Sequence, residues 1–221
     1  MVTLDLFADG DLPAISGPAV VPLAQGATVL RGFAAPVAGE LWNDIAKVLD
    51  AAPLRHLITP GGLRMSVAMS NCGALGWVSD RRGYRYDAVD PESGRAWPAM
   101  PASFTQLAAA AAEQAGFPGF VPDACLINRY EPGARLSLHQ DRDERDHTQP
   151  IVSVSLGLPA VFLFGGLKRN DPTQRVPLAH GDVVVWGGPS RLRFHGVLAV
   201  KAGWHALTGE CRVNLTFRRA G

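Results

Sequence analysis

From Pro122 to the end, the chain is a series of short apolar or alternating runs, each cut off by a turn signal. Runs at 124–130, 151–156, 160–164, 182–186, 193–198 and 211–218 read as strands. The breaks fall at Pro132-Gly133, Gly165-Gly166, Gly187-Gly188-Pro189 and Ala202-Gly203. Nothing between these runs has helical periodicity, which suggests an antiparallel sandwich or jelly roll. This β core spans 120–221.

The front half differs. Residues 36–51 place Val37, Leu41, Ile45, Val48 and Leu49 at helical spacing, and Pro53 closes the segment. Residues 102–115 are alanine-rich and helical, with Gly116 and Pro118 as the stop. Between the two helices, 53–100 has little periodicity but many glycines, prolines and aromatics. A long irregular stretch of that kind is more often functional than a linker. The expected fold is α+β: one domain over 1–221, with N-terminal helices and an irregular segment around a β core.

At 221 residues, 47% hydrophobic and 19% charged, the chain can bury a full core without staples. Cys72, Cys125 and Cys211 are widely spaced, which argues against a disulfide framework or a thiolate zinc site. The first residues carry an acid and no long apolar run, so no signal peptide or membrane span is expected and a cytoplasmic protein is predicted. A net charge of +1 argues against a duplex binder that relies on many phosphate contacts. It still admits an enzyme that holds a short piece of one strand. The clusters Arg81, Arg82, Arg85 and Lys168, Arg169 read first as solvated loop charge.

Residues 137–144, Ser-Leu-His-Gln-Asp-Arg-Asp-Glu, crowd three acids beside a histidine. In extended chain His139, Asp141 and Asp143 turn the same way. Glu144 falls out of that alternation and reads as a solvated loop acid, and His147 as an exposed loop histidine. His139 and Asp141 can reach one metal ion, and His195, in Arg-Phe-His-Gly, is the best-placed third ligand. Two histidines and a carboxylate leave coordination positions open, as in non-haem Fe(II) oxygenases, although zinc accepts the same ligands. The alternative is that His195 is a hydrogen-bonded strand histidine.

In the last run, Cys-Arg-Val-Asn-Leu-Thr-Phe-Arg, alternation sends Arg212, Asn214, Thr216 and Arg218 to one face. Val213, Leu215 and Phe217 take the other. The polar face either meets solvent or lines a polar cavity, where two arginines would make a receptor for a small dianion. The run at 124–130 likewise puts Asn128 and Tyr130 on one face as neutral donors.

The order H-x-D, H, R-x-N-x-T-x-R resembles the Fe(II)/2-oxoglutarate-dependent dioxygenases, and within them the AlkB family of alkylated-nucleobase demethylases. LDLFAD near the start, TPGG at 59–62, MSVAMSNCG at 65–73, ACLINRY at 124–130, VSVSLGLPA at 152–160, FGGLKRNDP at 164–172 and HGDVVVWGG at 180–188 extend it over nearly the whole chain. Residues 145–149 and 10–26 depart from the family pattern. The resemblance implies a double-stranded β-helix core, Fe(II) on His139, Asp141 and His195, and 2-oxoglutarate on Asn128, Tyr130, Arg212, Asn214, Thr216 and Arg218. It implies that Arg212 holds the distal carboxylate and that Arg218 approaches the carboxylate at iron. Trp77, Tyr84, Tyr86, Asp143 and Arg169 become base-contacting residues, and 53–100 a nucleotide-recognition lid. The implied reaction is O₂-dependent demethylation of N-alkylated bases such as 1-methyladenine and 3-methylcytosine, releasing formaldehyde, succinate and CO₂. The implied partner of this expected monomer is single- or double-stranded DNA, with RNA left open. Two rivals stand beside it: a sister oxygenase acting on a protein or small molecule, and a metal-binding β-barrel or zinc hydrolase.

Overall fold

The computed structural model describes residues 19–221. The LDLFAD stretch and residues 10–18 of the divergent 10–26 segment lie outside the described residues. In chain order the elements are β1 (Val20–Ala24), β2 (Ala27–Leu30), α1 (Ala38–Ala51), β3 (Ala68–Gly73), β4 (Gly76–Asp80), β5 (Gly83–Asp87) and α2 (Ala102–Gln114). Next come β6 (Ala124–Tyr130), β7 (Leu136–His139), β8 (Ile151–Gly157), β9 (Ala160–Phe164), β10 (Gln174–Leu178), β11 (Val183–Trp186), β12 (His195–Val197) and β13 (Arg212–Arg218). A seven-stranded sheet runs β1-β2-β11-β8-β13-β6-β3, a four-stranded sheet runs β10-β9-β12-β7, and β4-β5 form a separate hairpin. All pairings are antiparallel. This is the jelly-roll core that the strand-and-turn pattern predicted.

The large sheet is covered on both faces. Leu41, Ile45 and Val48 of α1 and Phe104 and Ala108 of α2 pack on its outer face against Ile127, Val154, Leu215 and Phe217. Full burial of each such side chain stabilises the fold by about 1.5–3 kcal/mol relative to exposure. A second core, with Tyr130, Ile151, Phe162, Phe164, Val184 and Trp186, fills the space between the two sheets. Every residue of β13 is therefore buried. Its apolar face meets the helices, and its polar face lines the interior of the sandwich rather than solvent.

Several sequence expectations shift. Helix α1 begins at Ala38 after a 3-10 turn over Ala35–Val37, and that turn leaves Val37 exposed instead of on the apolar stripe. The 193–198 run shrinks to three strand residues. The 53–100 segment is less irregular than its sequence suggests, since it contains β3, β4 and β5. Strand β3 pairs residue for residue with β6, and Gly76 lets the hairpin base close on Trp97, where a Cβ would stand 2.3 Å from the ring. No helix among the described residues is long and apolar enough to cross a membrane.

Candidate metal centre and co-substrate pocket

Strand register brings the two histidines together. His139 ends β7, His195 begins β12, and the two are cross-strand partners with ring centroids 4.4 Å apart. Gly196 permits this approach, because a Cβ there would come within 2.7 Å of the Leu136 carbonyl oxygen. Asp141 lies two residues beyond β7. Its Oδ1 lies 3.6 Å from His139 Nε2 and its Oδ2 3.7 Å from His195 Nε2. The three ligand atoms all fall within 4.8 Å of one another.

The hydrogen bonds behind the triad suit a metal. His139 Nδ1 donates to the Ser137 carbonyl at 2.8 Å and His195 Nδ1 to the Arg193 carbonyl at 3.0 Å. A carbonyl can only accept, so the proton sits on Nδ1 and the Nε2 lone pair is left for a ligand. Burial, helped by the neighbouring His139, pulls the His195 pKa down to about 4. Burial alone would raise the Asp141 carboxyl, but Arg218 and the two histidines hold it below the usual carboxylate range. A neutral imidazole and an ionised carboxylate are the forms a divalent cation needs. These residues fit a divalent metal with open positions.

Two arginines on β13 flank this centre in contrasting states. Arg218 donates to Asp141 Oδ2 through Nε at 2.9 Å and Nη2 at 2.6 Å, and its Nε lies 3.3 Å from Glu144 Oε1. Arg212 is 1% exposed, with only Nη2 engaged, donating to Ser155 Oγ at 3.0 Å. Its Nε and Nη1 have no partner. Register puts Arg212 opposite Tyr130, and the guanidinium sits 4.9 Å from that ring's centroid. Burial lowers its pKa. A buried cation without an anion is costly, so these two free nitrogens mark where an anion belongs.

The pocket that Arg212 enters is narrow and also lined by Tyr130, His139, Phe162, Trp186 and His195. Asn214 lines it too, above a satisfied floor: its Nδ2 donates to Ser153 Oγ at 2.8 Å and the Val154 carbonyl at 2.9 Å. Thr216 Oγ1 donates to Asn214 Oδ1 at 2.8 Å. Asn128 faces Asn214 in register and donates its Nδ2 there at 3.3 Å, so the expected free donor is already engaged and the unpaired atom is Oδ1. Trp186 is a site residue that the sequence patterns do not mark. Its indole nitrogen is buried without a partner, and it closes an all-valine strand just before a Gly-Gly turn.

The hairpin residues meet the loop that follows His139. Trp77 pairs with Tyr86 across β4 and β5 and stacks on Tyr84, with centroids 5.5 Å apart and planes at 13°. Asn71 clasps the Trp77 backbone with two bonds of 3.0 Å. The Trp77 indole donates to Asp143 Oδ2 at 2.9 Å, and the Tyr86 hydroxyl donates to Glu144 Oε1 at 2.8 Å. Arg169 donates to the Leu138 carbonyl at 2.6 Å and lies over Phe194. Of the fourteen expected positions, Tyr130, His139, His195, Arg212 and Asn214 line this pocket, Asp141 joins the histidines and Arg218 joins Asp141. Asn128 and Thr216 stand behind Asn214, Trp77, Tyr86 and Asp143 meet through the loop after His139, Tyr84 is reached through Trp77, and Arg169 through the Leu138 carbonyl. A larger cleft of about 400 Å³ lies beyond Trp77, but its charges are mutually paired, Arg55 with Glu92 and Arg82 with Asp80.

Two loop expectations are corrected. Glu144 is buried and ion-paired, not solvated. The chain leaves β7 at His139, so strand alternation does not extend to the residues beyond it. For the same reason Asp143 is exposed while its neighbour is not. His147 is half-buried rather than exposed, with a buried Nε2.

The profile of the 2OG-Fe(II) oxygenase superfamily matches residues 26–218. The chain is 60% identical over 218 residues to the alpha-ketoglutarate-dependent dioxygenase AlkB of Escherichia coli strain K12, covering 99% of this chain and 98% of that one. The chain is a member of the AlkB family. An AlkB homolog of Caulobacter vibrioides strain NA1000 is 49% identical, covering 94% of this chain and 96% of that protein. The solved structure of OsALKBH1 superposes with a TM-score of 0.79 at 29% identity, over 91% of this chain and all of that one. As an AlkB-family enzyme the chain is an Fe(II)/2-oxoglutarate-dependent dioxygenase, and the His-Asp-His centre is the matching arrangement in its fold.

Proposed function

We propose that this AlkB-family dioxygenase removes alkyl groups from ring nitrogens of nucleobases in DNA, 1-methyladenine and 3-methylcytosine among them, with RNA left open. The observation that carries the reading is the half-empty guanidinium of Arg212 in the same pocket as the histidines. A zinc hydrolase has no use for a stranded buried cation, whereas a dicarboxylate co-substrate supplies its counter-charge.

His139, Asp141 and His195 would hold Fe(II), which with 2-oxoglutarate and O₂ supplies the oxidising power to hydroxylate an N-methyl carbon. Arg212 grips the distal carboxylate of 2-oxoglutarate, and Tyr130 and Asn214 shape the slot around it. Arg218 holds Asp141 in orientation and presents positive charge to the carboxylate nearest the metal. The residues at 53–100 act as a lid. Trp77 and Tyr84 offer ring faces to an extruded base, and Tyr86 and Asp143 tie the lid to the metal loop. Arg169 offers a cation at the rim. The base must leave its stack to reach the centre, and a lesion that pairs badly leaves most cheaply.

The test is co-substrate turnover with a single-stranded oligonucleotide carrying one 1-methyladenine. Iron-dependent formation of succinate and formaldehyde, absent with the unmodified strand, is the expected result. Succinate without formaldehyde from any methylated oligonucleotide moves the substrate to a protein or small molecule.

A further inference from the structure

The loop from Gln140 to Pro150 carries the only carboxylate of the metal triad, yet it contains no strand or helix. Its backbone therefore has no ladder of its own to fix Asp141. Besides the grip of Arg218 on Asp141, a set of contacts to the loop comes from the segment after β11. Gln140 Nε2 donates to the Leu192 carbonyl at 2.6 Å. The guanidinium of Arg191, buried at 2% exposure, reaches the loop at three separate points. Nη1 donates to the Asp141 carbonyl at 2.7 Å, Nε donates to the Gln149 carbonyl at 3.0 Å, and Nη2 lies 3.0 Å from Glu144 Oε2. Arg191 is itself anchored, because it ends a 3-10 turn over Gly188–Ser190 whose Ser190 hydroxyl donates to the Gln25 carbonyl at 2.7 Å.

Glu144 completes the arrangement. It lies between Arg191 and Arg218, and Arg218 in turn grips Asp141. Two cations and two anions thus form one buried, charge-balanced chain that starts at the Tyr86 hydroxyl and ends at the metal-facing carboxylate. We propose that Arg191 and Glu144 are positioning residues for the metal centre: Arg191 sets the backbone at Asp141, and Glu144 keeps the local charge low enough for a dication to bind. The inference rests on the reading of His139, Asp141 and His195 as the metal ligands. Neither residue belongs to the His139, Asp141 and His195 ligand set.

The two act by different physics, which makes them separable. Arg191→Lys keeps the charge but cannot bond two carbonyls and pair with Glu144 through one planar fork. Glu144→Gln keeps the shape and an acceptor for Tyr86 but leaves Arg191 and Arg218 facing Asp141 alone, a surplus positive charge that repels a dication. Partners of metal ligands typically change metal affinity by about 10–100-fold when lost.

The experiment titrates Mn(II) into the full-length protein, following free Mn(II) by its paramagnetic resonance, with thermal unfolding of every variant alongside. Arg191→Lys and Glu144→Gln are each expected to weaken Mn(II) binding tenfold or more while still unfolding cooperatively. Glu144→Asp, which retains the charge, is expected to bind Mn(II) more tightly than Glu144→Gln. A loss below tenfold in either of the first two variants overturns the inference, as does weaker binding by Glu144→Asp than by Glu144→Gln. Loss of cooperative unfolding in either also overturns it, by assigning the pair to stability. An Asp141→Ala control that binds Mn(II) as tightly as the unaltered protein would instead sink the assignment of the metal centre, and this inference with it.

Discussion

Arg212 and Arg218 sit on the same face of one strand, six residues apart and both buried, yet they are in opposite electrostatic states. Arg218 has its anions built in, and those partners raise its pKa against the effect of burial. Arg212 has a ring, a hydroxyl and two unused nitrogens. A fold tolerates a cation of the second kind only where something else supplies the charge, so the difference separates structural from receptive positive charge along a single strand. The hairpin extends the contrast. Its aromatics are partly exposed and satisfied by one another and by the loop acids, so they must rearrange to admit a base, whereas the two free nitrogens of Arg212 have no partner to give up.

The largest expected effect breaks the built-in end. His139→Ala, Asp141→Ala or His195→Ala should reduce turnover to background and weaken metal binding, since two ligands cannot fix the open geometry. Asp141→Ala differs from the other two, because it also strips Arg218 of its principal anion. It should therefore lower thermal stability more than either histidine variant. Iron-dependent succinate formation surviving in any of the three would refute the triad.

Arg212→Lys tests the receptive end. Charge is retained, but the two free guanidinium nitrogens are lost as a planar pair. A charge-assisted hydrogen bond is worth about 1.5–3 kcal/mol, so the KM for 2-oxoglutarate should rise by about 10–100-fold. An unchanged KM would mean that the dianion is held elsewhere.

Local forces decide how much of this is legible in the sequence. The period-two pattern of β13 places Arg212, Asn214, Thr216 and Arg218 on one face, because strand geometry is a local property. The H-x-D spacing flags His139 and Asp141 by residue type and closeness alone, since Asp141 lies beyond the end of β7. Whether that polar face meets water or an interior is undecidable from the pattern, because the answer depends on the four-stranded sheet stacked above it. Glu144 defies its pattern for a related reason: alternation holds only as far as His139, where the strand stops. Arg191 carries no signal at all, since its partners, two accepting backbone carbonyls and an ion-paired acid, lie 42 to 50 residues away along the chain. The hairpin β4–β5 is hidden by its glycines and by arginines paired with Asp80 rather than with apolar neighbours.

Trp77→Ala sharpens the contrast between the unpaired arginine and the satisfied hairpin. Base stacking on an aromatic is worth about 1–3 kcal/mol, which predicts oligonucleotide binding weakened by about tenfold with 2-oxoglutarate affinity unchanged. A large fall in thermal stability with binding intact would place Trp77 in the core instead.

The smallest expected effect concerns Asp143, which borders both regions. No arginine among the described residues pairs with it, and its observed partner is the Trp77 indole at 2.9 Å. That bond orients the carboxylate beside the ring on which a base would stack. 1-Methyladenine and 3-methylcytosine carry a formal positive charge near neutral pH, whereas 1-methylguanine does not. A carboxylate at the rim favours the cation, and exclusion of water by a bound base strengthens the attraction. Asp143→Asn keeps an oxygen to accept from Trp77, so the ring stays in place while the charge is removed. The expected outcome is a several-fold larger loss of kcat/KM on the two cationic lesions than on 1-methylguanine, measured on otherwise identical oligonucleotides. Equal losses on both classes would reduce Asp143 to a tether for Trp77, and the discrimination would then have to come from the stacking rings alone.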